Sequence, residues 1–174
     1  MRFEAFLKLD YELSNRLRVA EEPGLLRNIT VFLGHSGDSW FWLIGLLVLW
    51  LVGGDYWEVR ALVMVIAIIL TATVVLIIKF TIRRQRPEGE LGQIYRKTDP
   101  HSFPSGHAAR ALMLGVIAIY LGPTWLGIVL LVWGLLVGLA RVAMGVHFVS
   151  DILAGWTLGV FTGIFVPYII ISLF

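Results

Sequence analysis

Cysteine is absent from this sequence and charged residues are scarce, and each shortage excludes a class of protein. With no cysteine among the 174 residues, disulfide bonds and thiolate chemistry are excluded. Charged residues make up 15% of the chain and the formal net charge is +2, which gives no support to nucleic-acid binding. Residues 1–22 alternate charged and apolar residues without an uncharged core, so we expect no cleavable signal peptide there.

Charge is missing altogether from three long stretches of the chain, which are strongly apolar. Residues 61–78, 111–140 and 152–174 contain no Asp, Glu, Lys or Arg, and the mean hydropathy of the chain is +0.83. A helix that crosses a bilayer core needs about 20 apolar residues. The middle stretch is long enough for parts of two helices, separated at Gly122-Pro123. The sequence therefore predicts an integral membrane protein.

The apolar pattern predicts an all-α membrane protein, a bundle of about five transmembrane helices preceded by interfacial amphipathic helices. Residues 3–19 set Phe3 and other apolar residues among charges, and residues 25–33 repeat apolar residues at helical spacing. We therefore divide the chain into interfacial helices, residues 1–35, and a transmembrane bundle, residues 36–174. The predicted crossings are residues 39–54, 59–80, 105–121, 124–143 and 148–173, with loops at 34–38 and 83–104.

Five crossings bring four helix ends to one face of the membrane, and most ionisable residues of the bundle gather there. The opposite face has only Asp55, Glu58 and Arg60. Ionisable groups at membrane depth are costly and usually serve function, so we predict a functional site on the first face. Its ionisable residues are Lys79, Arg83, Arg84, Arg86, His107, Arg110, Arg141, His147 and Asp151.

His147 and Asp151 are spaced i, i+4, which puts both side chains on one face of a helix. A carboxylate near one imidazole nitrogen determines the tautomer and stabilises the charged ring, and leaves the other nitrogen as a nucleophile or base. The ordinary alternative is a histidine at a helix start with a stabilising acid in the first turns.

The segment Pro104-Ser105-Gly106-His107 opens the third predicted crossing. A helix N-terminus presents free N–H groups and a partial positive charge, so it suits an anion. Gly106 allows close approach to the backbone, Ser105 adds a hydroxyl donor, and His107 can transfer a proton. Simple helix capping by Ser105 is the ordinary alternative.

Lys79, Arg86 and Arg141 are candidate phosphate ligands. Arginine grips a phosphate through paired hydrogen bonds, and lysine adds a point charge. Basic residues at helix ends also extend to lipid headgroups and complement the helix dipole, and we assign this role to Arg83 and Arg84.

Together these elements form an inventory for phosphoryl transfer: cations, an anion-binding helix start, a nucleophile and an acid. Three motifs resemble, in order, the three-part signature of the type 2 phosphatidic acid phosphatase superfamily. They are Lys79-x6-Arg86-Pro87, Pro104-Ser105-Gly106-His107 and Arg141-x5-His147-x3-Asp151. The resemblance covers about residues 60–160. Ala140 departs from the serine that often precedes the third-motif arginine, which removes one hydroxyl near the phosphate.

The resemblance implies a membrane lipid phosphatase with a phosphohistidine intermediate. By this resemblance His147 attacks phosphorus, Asp151 orients His147, and His107 protonates the departing oxygen and then activates water. The residues expected to hold the phosphate oxygens are Lys79, Arg86, Ser105, Gly106 through its N–H, and Arg141.

The resemblance further implies no metal or other cofactor, a lipid phosphate in the bilayer as the partner, and a multi-pass protein of the cell membrane. It places the active site on the extracytoplasmic face, with the N-terminus on the same side. A count of Lys and Arg would place that face in the cytoplasm, but most of those cations are the proposed ligands. The amphipathic start followed by a short first crossing is similar to small bacterial undecaprenyl diphosphate phosphatases of the bacitracin-resistance type.

Two other functions stay open at this point. A metal-dependent enzyme could use His101, His107 and His147 with Asp99 or Asp151, although no usual metal-ligand spacing is present. An anion transporter or a non-catalytic lipid-binding protein would use the same cations for headgroups. The substrate is equally open among polyprenyl diphosphates, phosphatidylglycerophosphate, phosphatidic acid and lipid A phosphates, and so is the oligomeric state. Arg110 would contact a second phosphate or pair with an interfacial acid.

Overall fold

The computed structural model describes residues 2–19 and 22–173, and that part of the chain is mostly α-helical, with turns and irregular segments between the helices and one isolated β-bridge between Gln85 and His101. The description leaves out Met1, Ala20, Glu21, Phe174 and the side chains of Arg2, Phe3 and Leu173. The apolar role predicted for Phe3 therefore lies outside the described residues. The helices are α1 (Arg2–Arg16), α2 (Leu25–Ser36), α3 (Ser39–Val52), α4 (Asp55–Ile82), α5 (Glu90–Thr98), α6 (Gly106–Leu121), α7 (Thr124–Ala143) and α8 (Val149–Leu173).

The predicted all-α membrane bundle is confirmed. Helices α4, α7 and α8 are long and apolar enough to cross a membrane. Helices α2 and α3 pass the same test together, as a pair bent by 55°, and α6 is a shorter apolar helix. Residues 25–33 form most of α2, as a helix was expected there, and a break of two residues separates α2 from α3. By length and composition the bent pair suits one broken span or a re-entrant pair, and the interfacial position of residues 25–33 stays a prediction.

Helix α6 occupies the centre of the bundle and packs along both α7 and α8. Met113, Ile117 and Ala118 of α6 are fully buried. Glycines allow the helix backbones to approach: a Cβ on Gly134 of α7 would lie 2.9 Å from the carbonyl carbon of Ala111 in α6. Such small-residue contacts are how membrane helices gain packing without a hydrophobic driving force between them.

The polar segments differ from the prediction in two places. The loop expected at 34–38 is shorter, because α2 continues to Ser36. The loop expected at 83–104 contains helix α5, which is amphipathic but whose nine residues are too few for its apolar spacing to stand out in a polar segment. Arg83 ends α4 in the left-handed conformation with φ 54°, which turns the chain into this segment.

Helix α1 docks on the start of α8 through buried polar groups. The side chain of Asp10 accepts from the Ser150 N–H at 2.9 Å, and Ser14 Oγ accepts from the Val149 N–H at 2.9 Å. These side chains satisfy N–H groups that the first turn of a helix leaves free. The amino-terminal helix thereby helps to hold the end of the bundle where α6 and α8 begin.

Candidate active site

The eight site residues predicted from the sequence lie at the end of the bundle where α4 and α7 end and α6 and α8 begin. Most are almost completely buried. Lys79 is 4% exposed, Arg86 2%, His147 1%, and Ser105, Arg141 and Asp151 0%. A main-chain hydrogen bond of 3.0 Å from Ser105 N to Asp151 O joins the starts of α6 and α8.

The contacts of His147 indicate which ring nitrogen carries the proton. Nη1 of Arg86 lies 3.1 Å from Nε2, and Nδ1 lies 3.5 Å from Oδ2 of Asp151, within ion-pair distance but without a hydrogen bond. A guanidinium can only donate, so Nε2 must be the unprotonated, accepting nitrogen. The ring proton is then on Nδ1, facing the carboxylate. This tautomer leaves the Nε2 lone pair pointing into the cluster of cations.

His147 is also held in its neutral form. Burial lowers the pKa of His147 well below its ordinary value of 6.5, and the positive charges of Arg86, Arg141 and Lys79 lower it further. The imidazole is therefore neutral at pH 7, with one nitrogen unprotonated, as a nucleophile must be.

Asp151 is fixed by two donors in addition to its position beside His147. Arg84 Nη1 donates to Oδ1 at 2.7 Å, and the Phe148 N–H donates to Oδ2 at 2.8 Å. Arg84 also pairs with Asp10 of α1 at 2.6 Å. Our interpretation of Arg84 as a lipid-facing cation was therefore wrong: two carboxylates on α1 and α8 enclose it. Arg83 is exposed and donates to its own helix at Phe80 O.

Asp99 bridges two of the candidate phosphate ligands. Its carboxylate pairs with Lys79 and lies 2.7 Å from Nη2 of Arg86. Burial raises the pKa of Asp99, but the hydrogen bond and charge of Lys79, with the charge of Arg86, lower it more, and the net shift is downward. Burial lowers the pKa of Arg86, and Asp99 opposes that shift. The sequence suggested Asp99 only as a metal ligand, because nothing in the motifs points to a carboxylate among the cations.

The start of α6 carries Ser105 as its N-cap. Ser105 Oγ accepts from the Ala108 N–H at 3.5 Å, a long capping bond, so capping is at least part of its role. Gly106 is the first residue of α6, and a Cβ there would lie 3.2 Å from Nη1 of Arg110 and 3.4 Å from Val75. The glycine therefore leaves its backbone N–H more accessible than a larger residue would.

His107 makes a contact that the motifs do not predict. Its Nε2 lies 2.5 Å from Oδ1 of Asp38, in the break between α2 and α3. Asp38 also lies 3.2 Å from Nδ1 of His35. His107 thus has a carboxylate partner just as His147 has. Asp38 falls in the loop predicted at 34–38, and nothing in the sequence pairs it with His107.

Helix α5 covers the cluster through Tyr95. The Tyr95 hydroxyl accepts from Nη1 of Arg141 at 2.9 Å, and the guanidinium lies 4.5 Å from the ring centroid, in the range of a cation–π contact. Arg96 of the same helix donates to Arg86 O at 2.6 Å. Because α5 was not predicted, Tyr95 was missed as well.

The metal-ligand set weighed from the sequence is not assembled in the described part of the chain. No group of three or more His, Asp or Glu side chains there is arranged to hold a metal ion. His101 is directed elsewhere: its ring packs edge-on against Phe80, with centroids 5.5 Å apart.

Comparisons with known proteins identify the family of this chain. The model of the PAP2 superfamily matches residues 60–172, which include the eight predicted site residues. An undecaprenyl-diphosphatase of Sulfolobus acidocaldarius is 29% identical over 154 residues, covering 86% of this chain and 71% of that protein.

Two solved structures share the fold. The transmembrane PAP2 type phosphatidylglycerolphosphate phosphatase from Bacillus subtilis superposes with a TM-score of 0.79 at 24% identity, covering 98% of this chain and 88% of that one. LpxE of Aquifex aeolicus superposes with a TM-score of 0.70 at 23% identity, covering 93% and 94%. Since the family match spans more than half of this chain, the chain belongs to the PAP2 superfamily and is a membrane lipid phosphatase.

Proposed function

We propose that this protein hydrolyses the phosphate of a lipid phosphate or polyprenyl diphosphate through a phosphohistidine at His147, without a metal. The observation that carries the proposal is the geometry around His147: Nε2 accepts from Arg86 at 3.1 Å, so the neutral ring carries its proton on Nδ1, beside Asp151, and a phosphate that takes over Arg86 meets the Nε2 lone pair. A charged or reversed ring could not act as this nucleophile.

In the first step Nε2 of His147 attacks phosphorus, and the bond from phosphorus to the lipid oxygen breaks. His107 gives a proton to that oxygen, and Asp151 stabilises the charge on the phosphorylated ring. In the second step His107 takes a proton from water, which attacks the phosphohistidine and releases inorganic phosphate. The phosphate is held by Lys79, Arg86 and Arg141 and by Ser105 and the N–H of Gly106.

Asp38 positions His107 in this proposal. A carboxylate at 2.5 Å from Nε2 holds a proton on that nitrogen and leaves Nδ1 to exchange protons with the lipid oxygen and with water. Three buried cations supply the charge neutralisation for which other phosphatases use metal ions.

The names of the relatives indicate which lipid substrates to test first. The Sulfolobus relative is named for undecaprenyl diphosphate and the Bacillus neighbour for phosphatidylglycerolphosphate, so a polyprenyl diphosphate and a glycerophospholipid phosphate are the first substrates to compare. We place the active site on the extracytoplasmic face of the cell membrane.

Phosphate release by purified protein tests the proposal. His147→Ala should abolish turnover, whereas His101→Gln, which replaces a histidine outside the proposed machinery, should keep it. Excess EDTA should leave wild-type turnover unchanged. Full turnover by the His147→Ala protein would contradict the mechanism, and loss of activity in EDTA would contradict metal independence.

A further inference from the structure

The proposed mechanism assigns no role to Arg110, a cation at this end of the bundle. No ion pair or hydrogen bond joins it to another residue in the part of the chain that the structure describes, and its buried Nε has no partner there. The other cations are engaged: Lys79, Arg84 and Arg86 pair with carboxylates, and Arg141 donates to Tyr95. An unpaired guanidinium in a largely buried position is costly, so its presence calls for an anionic ligand.

Two carboxylates, Asp38 and Asp99, act on Arg110 through their charge, but neither is bonded to it. Asp38 is already in contact with His107 and His35, and Asp99 with Lys79 and Arg86. Around the site there are thus five cations, Lys79, Arg84, Arg86, Arg110 and Arg141, and four carboxylates, Asp10, Asp38, Asp99 and Asp151, and among the described residues neither Arg110 nor Arg141 contacts a carboxylate. The end of the bundle keeps a surplus of positive charge for a strongly anionic substrate.

The guanidinium of Arg110 lies beside the start of its own helix. Its Nη1 is 3.2 Å from the position that a Cβ on Gly106 would take, and Val75 of α4 lies 3.4 Å from the same position. Val75 is one helical turn from Lys79. Arg110 is thus placed beside the start of α6, whose N–H groups are proposed to hold the attacked phosphate.

Arg110 also lies on the side of the site where His107 and Asp38 are. It lines, together with Gly37, Ser39, Trp42 and Trp133, a closed and mostly apolar cavity that is too small for a water molecule. A Cβ on Gly37 would be 3.5 Å from the His107 ring, so this cavity adjoins the proposed acid. The group that departs from phosphorus must lie beside the acid that protonates it. Arg110 is therefore on the leaving-group side of the attacked phosphate.

We propose that Arg110 binds the second phosphate of a lipid diphosphate, so that diphosphates are the substrate class this site prefers. The inference rests on the proposed function. His147 attacks the terminal phosphorus, the bond to the bridging oxygen breaks, and its electron pair goes to that oxygen, which His107 protonates. The leaving group is a lipid monophosphate, and Arg110 offsets its negative charge. A lipid monophosphate substrate offers Arg110 no such oxygen.

The test compares farnesyl diphosphate with farnesyl monophosphate, two probes with the same chain. In Arg110→Gln, kcat/KM for the diphosphate should fall about 10- to 100-fold, the range for losing a hydrogen bond to a charged group. The value for the monophosphate should change by less than about threefold, because its phosphate does not reach Arg110. Arg83→Gln, an exposed arginine near the same end, is the matched control and should change neither value.

Equal losses on both probes, or no loss on either, would overturn the assignment of Arg110. Should Arg110→Gln fail to fold, inhibition of the wild-type protein decides: inorganic pyrophosphate should inhibit at least about tenfold more strongly than inorganic phosphate, and equal inhibition would contradict the inference. The proposed function fails separately, if the wild-type protein releases phosphate from neither probe.

Discussion

The chemistry of the site depends on where each histidine carries its proton. Nε2 of His147 faces the cations and accepts a hydrogen bond from Arg86, whereas Nε2 of His107 contacts Asp38. A carboxylate therefore lies beside one nitrogen of each ring: beside Nδ1 of His147 and beside Nε2 of His107. The two carboxylates come from different parts of the chain, Asp151 from α8 and Asp38 from the α2–α3 break.

Asp38→Asn tests the role of the second carboxylate. An amide of the same shape holds His107 less well, so kcat should fall about 10- to 100-fold, the usual effect of removing an orienting partner, with KM nearly unchanged. Asp38→Glu should restore part of the loss. Asp55→Asn, at the other end of α4, is the control. A rise in KM with kcat unchanged would show that Asp38 acts on binding and not on His107.

The protonation of His147 gives a pH prediction. In a variant that keeps His147 and replaces the other three of the four histidines, NMR of the ring should show a titration midpoint well below 6.5. Because unfolded protein takes up this proton near 6.5, His147 makes the fold less stable as pH falls from there towards its folded pKa. Adding Arg141→Gln removes one of the causes and should move the midpoint upward. A midpoint near 6.5 in the parent variant would contradict the account.

The motifs were sufficient to list residues that the structure brings together, from Lys79 to Asp151. They were not sufficient for Asp38, Tyr95 and Asp99. Each of these acts on a motif residue through a contact that exists only after helices distant in the sequence have packed. A lone acid or tyrosine in a polar segment has no spacing to any partner, so the sequence holds no signal for such a contact.

Hydropathy predicted the long helices well and predicted the segments between them poorly. Helices α4, α7 and α8 begin and end within a few residues of the prediction, because long apolar runs in a bilayer have no alternative to a helix. The 55° bend between α2 and α3 and the short helix α5 were not predicted. Helix α2 packs on α7, α3 packs on α4, and α5 reaches α7 through Tyr95, and these contacts join segments distant in the sequence, which a local pattern does not encode.

The contact of α6 with α8 gives a prediction about stability. A methyl group on Gly159 would overlap the carbonyl oxygen of Ala109, and backbone cannot move aside as a side chain can. Gly159→Ala should lower the free energy of unfolding by about 1–3 kcal/mol, as overpacking does. Gly45→Ala, a helical glycine with nothing within 4 Å of its Cβ, should be neutral or stabilising. Thermal unfolding in detergent compares them, and equal melting temperatures would contradict this view of the contact.

For the molecule as a whole, the question is which side of the membrane carries the site. The absence of cysteine makes the chain suited to single-cysteine labelling. A cysteine at the exposed Lys97 of α5 should react with an impermeant thiol reagent on intact cells, and one at Asp55 should react only after lysis. The reverse pattern would place the site in the cytoplasm, as the count of basic residues suggests.

The most direct test of the account is to trap the phosphoenzyme. The protein is mixed briefly with a lipid diphosphate that is radiolabelled in its terminal phosphate, quenched in alkali and cut into peptides. The account predicts label on the peptide that contains His147, stable to alkali and lost in acid, and none in the His147→Ala protein. Label on another residue, or full turnover with no labelled protein at any time, would contradict it.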